Sequence, residues 1–124
     1  MPTQESWINE TTIFVEMTSP LTTGDLSACF KLLAHEVAKS PQPIDILGDV
    51  TEAGLIPVEA PTLAVQSGFL TNPNLKRVVV AGSNQWARFL GRIATRQSKK
   101  PIDFYETFEQ AAYALGLSED ARVE

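Results

Sequence analysis

An α/β domain with a mainly parallel sheet is the fold class this sequence predicts, and three features predict it. Short β-forming runs alternate with segments whose apolar residues recur at helical spacing. One run, Leu75–Ala81 (LKRVVVA), is almost continuously apolar and β-branched, as strands covered on both faces are. Pro, Gly and Thr or Ser stand at the junctions between these segments, where helices and strands begin and end.

Taken in order, residues 12–17 (TIFVEM) read as a strand, and residues 6–9 as a shorter strand pairing with it. A helix follows. Thr22 and Thr23 offer N-cap oxygens, and Asp25 suits the positive end of the helix dipole. Leu26, Cys29, Phe30, Leu33 and Val37 then form one apolar stripe, and Ser40-Pro41 ends the helix. Residues 44–47 make the third strand, and residues 49–59 a loop. Pro61 opens a helix over 60–70 that stops before Asn72-Pro73. After the strand Leu75–Ala81, Gly82-Ser83-Asn84 makes a turn with Ser83 as N-cap. The next helix carries Trp86, Phe89, Leu90 and Ile93 on one face. Ile102–Tyr105 is the last strand. Thr107 and Gln110 match a capping box, and Phe108, Ala111, Ala112 and Leu115 form the buried face of a closing helix with Gly116 at its C′ position. The order β-β-α-β-α-β-α-β-α implies one domain over 1–124, with right-handed crossovers, an antiparallel edge from the first two strands, and a frayed tail at 118–124.

Composition narrows the function. The chain has 124 residues, 44% of them apolar, enough for a core without disulfide or metal, and its single cysteine excludes an intrachain disulfide. The polar, acidic start predicts no secretory leader, and no apolar run is long enough to span a bilayer; cytoplasmic placement is expected. A net charge of −5 argues against nucleic-acid binding. The charge is unevenly spread, because residues 76–100 contain no acid and carry +7 while the remainder carries −12. Such asymmetry suits an anionic ligand or a complementary protein surface.

Residues 12–115, and above all 76–115, resemble the SpoIIAA-like family, close in fold to STAS domains and to CRAL-TRIO lipid-binding domains. The resemblance is carried by the strand RVVVAG, the Trp-bearing helix NQWARFLGRI, the strand IDFY and the helix FEQAAYAL. It implies a non-enzymatic regulatory module that binds a protein partner or itself as a homodimer. CRAL-TRIO relatives imply an alternative, a carrier of a small apolar or anionic molecule such as a lipid. STAS switches carry a phosphorylatable Ser or Thr beside the helix after the third strand. Here residues 48–55 read GDVTEAGL without the usual serine pair, which leaves Thr51 and Thr62 as the phosphoacceptor candidates.

Three groups of residues are candidate sites. Arg88, Arg92 and Arg96, extended by Lys99 and Lys100, form a cationic stripe that suits phosphate or carboxylate. Gly82, Ser83 and Asn84 lie where open α/β sheets hold ligands, next to Trp86. A pocket there would be lined by Leu55, Ile56, Val58 and Phe69. No phosphate-binding glycine fingerprint occurs. His35 is the only histidine and does not share a helix face with Cys29, so neither a nucleophile–histidine pair nor a metal site is expected, and no cofactor. Asp45 and Asp49 read as solvated acids at the end of the third strand.

Overall fold

The computed structural model describes residues 2–82 and 84–117; the expected frayed tail and Ser83 lie outside the described residues. Nine elements follow in the predicted order: β1 (Thr3–Asn9), β2 (Thr12–Thr18), α1 (Thr23–Lys39), β3 (Ile44–Glu52), α2 (Ala60–Ser67), β4 (Leu75–Ala81), α3 (Gln85–Ser98), β5 (Ile102–Tyr105) and α4 (Phe108–Ala114). They build a five-stranded sheet of order β1-β2-β3-β4-β5, in which β1 and β2 are antiparallel and every other pairing is parallel.

A sheet whose strands lie in sequence order, joined by crossovers of one hand, must carry those crossover helices on one face. Accordingly α1, α2 and α3 pack side by side over Ile13, Val15, Ile46, Val50 and Val78. α4 returns to the opposite face and covers Leu47, Val79 and Ala81 with Phe108, Ala111 and Ala112. The Phe14 and Phe108 rings meet edge to face at 5.4 Å. Period-two alternation along β3 and β4 separates the two cores.

Helix boundaries follow the capping chemistry. Thr22 Oγ1 accepts from the Asp25 N–H, and Asp25 returns a carboxylate oxygen to the Thr22 N–H. The predicted stripe Leu26, Cys29, Phe30, Leu33 and Val37 is the buried face of α1.

Five expectations need correction. β1 begins at Thr3 rather than residue 6, because Thr3, Gln4 and Glu5 pair with Met17, Glu16 and Val15; their polarity hides the strand. β3 runs to Glu52, so residues 49–52 are strand and not loop. Gly48 and Asp49 are flanked by Val15 and Glu16 on one side and by Val80 and Ala81 on the other. α2 stops at Ser67, where Gly68 adopts φ 90° and its N–H caps the Val65 carbonyl. The N-cap of α3 is Asn84, whose Oδ1 accepts from the Ala87 N–H. Finally, α3 buries Ala87, Leu90 and Ala94, flanked by the partly buried Trp86 and Ile93, while Phe89 is 44% exposed. The rotation brings Gly91 against Phe104, so closely that a Cβ at Gly91 would lie 2.5 Å from the ring.

Candidate functional site

Below the α1–α3 layer the side chains do not fill the space. A cavity of about 130 Å³ lies between these helices and the sheet. Val15, Ile46, Val78 and Val80 form its floor, and Leu26, Phe30 and Leu33 of α1 form one wall. The space exists because the opposing helices present small residues there: Ala60 and Ala64 on α2, Ala87, Gly91 and Ala94 on α3, with Gly48 on β3. The signal for this cavity was present in the sequence as alanine and glycine at i, i+4 and i+7, where a filled core would carry Leu or Ile.

Of the residues expected to line a pocket, Ile56 and Phe69 do so. Leu55 and Val58 do not; they are 79% and 61% exposed on the outer side of the loop. Gly82, Asn84 and Trp86 are not in the cavity wall either. Asn84 and Trp86 instead tie down the loop above it. Trp86 Nε1–H donates to the Ile56 carbonyl at 2.6 Å, and Asn84 Nδ2–H donates to the Gly54 carbonyl at 3.0 Å. The Trp86 ring also stacks on Phe89, 5.6 Å between centroids. The β3–α2 loop is thus latched to the first turn of α3.

The arginine stripe lies on the other side of α3, along a surface groove between that helix and β5. Arg88 stands over the Phe104 ring at 5.8 Å, while Arg92 and Arg96 are exposed. Neither Arg92 nor Arg96 has a carboxylate partner among the described residues. Lys99 is exposed at the C-cap of α3. Lys100 belongs elsewhere: its Nζ donates to the Leu75 carbonyl at 2.7 Å, which makes it a clamp on β4.

No family model matches the chain, and neither does any curated protein. Among solved structures, it is similar to an uncharacterized protein of the DUF3478 family with a SpoIIAA-like fold from Shewanella loihica PV-4. The two are 21% identical, the alignment covers 91% of each chain, and the TM-score is 0.64. The fold is SpoIIAA-like. It is the fold expected from the Trp-bearing helix and its flanking strands.

In this SpoIIAA-like frame the two candidate phosphoacceptors lie on different elements. Thr51 is exposed near the end of β3, where its N–H donates to Asp49 Oδ1, and Thr62 is exposed in the first turn of α2. Cys29 and His35 separate as their spacing requires: Cys29 is buried and His35 exposed. Burial, reinforced by the neighbouring Glu5, pushes the Cys29 thiol far above its ordinary value and disfavours the thiolate. No group of three or more His, Cys, Asp or Glu that could hold a metal ion occurs among the described residues, and none of the described helices is long and apolar enough to cross a membrane.

The two aspartates of β3 are not solvated loop acids. Asp49 is 3% exposed within the strand, on the face that carries α4. Asp45 is half-buried, between Thr12 and Arg77 in the neighbouring strands, and its Oδ1 is buried without a hydrogen-bond partner. Burial pushes its carboxyl up, against the opposing pull of Lys76 and Arg77. The folded chain therefore holds this proton to higher pH than the unfolded chain, and stability falls as pH rises from the ordinary value of 3.8 through the raised one. Asp45→Asn should raise the melting midpoint at pH 7, and the advantage should shrink as pH falls through the raised value and be gone below 3.8. Melts of both chains across pH check this.

Proposed function

We propose that this SpoIIAA-like chain is a non-catalytic binding module that takes a small apolar molecule into the cavity between its sheet and the α1–α3 layer. One observation carries the reading: about 130 Å³ of space is walled by apolar side chains, Met17 among them, and by glycine. Water gains nothing there, since it needs two to four polar partners, whereas dry apolar cavities of about this size accept benzene or xenon. Left empty, such a space costs about 3 kcal/mol at about 24 cal/mol per Å³, and an occupant recovers much of that through dispersion contacts. The occupant is a six-carbon ring or a branched chain of similar bulk. No ionisable or hydroxyl group lines the space, so the same wall that attracts hydrocarbon offers no acid, base or nucleophile to transform it.

The test is thermal melting in buffer saturated with benzene, on the parent chain and on Ala64→Leu. Binding to the folded state alone raises the parent midpoint by mass action. Leucine at 64 occupies the space, so the variant should melt higher than the parent without benzene and gain no further shift from it. Equal shifts for both chains, or none for either, would sink the proposal.

A further inference from the structure

We infer that the groove between α3 and the open edge of β5 is a docking site for an extended acidic segment of a partner protein, which adds as a sixth strand beside β5. The inference is independent of the cavity. β5 ends the sheet, and no described residue pairs with its outer edge. The Tyr105 carbonyl accepts from the Gly82 N–H on the inner side, so alternation along the strand turns the N–H and C=O groups of Ile102 and Phe104 outward. These groups are the backbone donors and acceptors that strand addition uses.

The charge beside this edge selects the occupant. Arg88, Arg92 and Arg96 line the groove. Successive arginines at i and i+4 are separated by about 6 Å along the helix axis. Alternate side chains of an added strand are separated by about 6.7 Å. Three acids at every second position of the strand therefore keep step with three arginines over its length. Contiguous acids do not, because every second one points to the other face of the sheet. The one acid in the groove wall, Asp103, already pairs with Arg77 at 3.5 Å and leaves the stripe uncompensated. Short length and Pro101 at its entrance guard this edge against indiscriminate strand pairing. The complementary charge then admits an acidic strand and rejects a basic or apolar one.

The probe is a seven-residue capped peptide with glutamate at its second, fourth and sixth positions and valine or threonine between. Its control has the same composition with the three glutamates contiguous. Titration at low salt is followed by backbone amide NMR. The alternating peptide should shift the Ile102 and Phe104 amides and bind up to about fivefold more tightly than the control, whose contiguous glutamates leave one acid on the far face and so lose one exposed ion pair. Its affinity should fall with added salt. Arg92→Glu with Arg96→Glu, which leaves the Arg88–Phe104 contact in place, should abolish the shifts while the melting midpoint is retained. Equal binding of the two peptides, shifts that avoid β5, or unchanged binding by the double variant would overturn the proposal. So would arginine-dependent binding of phosphatidylserine vesicles without any binding of the peptide.

Discussion

Gly82→Ala should lower the unfolding free energy by about 3 kcal/mol and the melting midpoint by roughly 10 °C. Gly82 has φ 128°, and a Cβ there would meet the Thr51 nitrogen at 3.1 Å, Val50 Cγ2 at 3.1 Å and the Val50 carbonyl carbon at 3.3 Å. Two of these three atoms belong to the β3 backbone, which is paired to both neighbours at Asp49 and to β2 again at Glu52, and cannot move aside cheaply. The turn must give way instead. It carries the Gly82 N–H bond to the Tyr105 carbonyl and leads directly into Asn84, so the α3 cap and its link to Gly54 are strained together. Gly68→Ala supplies the comparison, because Gly68 also has positive φ, 90°, but no atom lies within 4 Å of its would-be Cβ. That variant should lose only the cost of the dihedral, about 1–2 kcal/mol. Urea unfolding of both separates the two terms. If Gly82→Ala lost no more than Gly68→Ala, the close approach of the turn to β3 would be disproved.

The architecture was legible where local signals and tertiary demands agree. β4 and β5 begin and end as their apolar runs predict, and α1 buries the five residues that its spacing selects. Legibility failed where a residue's local preference was overruled by pairing. Gly48 reads as a strand terminator, yet it lies in mid-strand and faces the cavity, where its missing side chain contributes to the space. The polar residues of β1 give no strand pattern because the antiparallel partner, β2, supplies the apolar face.

The site divides along the same line. The arginine stripe was visible because i, i+4 spacing is a property of one helix. Its setting beside an open strand edge was not, since that depends on β5 being last in the sheet. The cavity was expected at the Gly82 turn, on the reasoning that large apolar residues line pockets. It lies farther in, where small ones leave room, and Leu55 and Val58 point outward because the Trp86 and Asn84 bonds fix the backbone of their loop. The missing volume is spread over three elements, α2, α3 and β3, and only its α3 share, Ala87, Gly91 and Ala94, shows as a spacing within one stretch of sequence.

Those bonds give the second large effect. Trp86→Phe keeps an aromatic ring beside Phe89 but removes the indole N–H, leaving the carbonyl of Ile56 without its partner; that residue is only 6% exposed. An orphaned acceptor at such a site costs about 1–3 kcal/mol. Trp86→Ala loses the packing of the ring as well, for a total of about 3–5 kcal/mol. The first loss falls locally before it falls globally. The amides of residues 53–56, 58 and 59 should exchange about tenfold faster in Trp86→Phe, the factor that 1.4 kcal/mol supplies, while amides in β3 and β4 slow or quicken only with global stability. Ile56 belongs to the cavity wall, so the released loop should also weaken benzene binding in proportion to the time it spends open. Faster exchange without weaker binding would separate the loop from the cavity and move the entrance to another part of the wall. Unchanged exchange would show that Asn84 and the packing of Ile56 hold the loop closed without the indole.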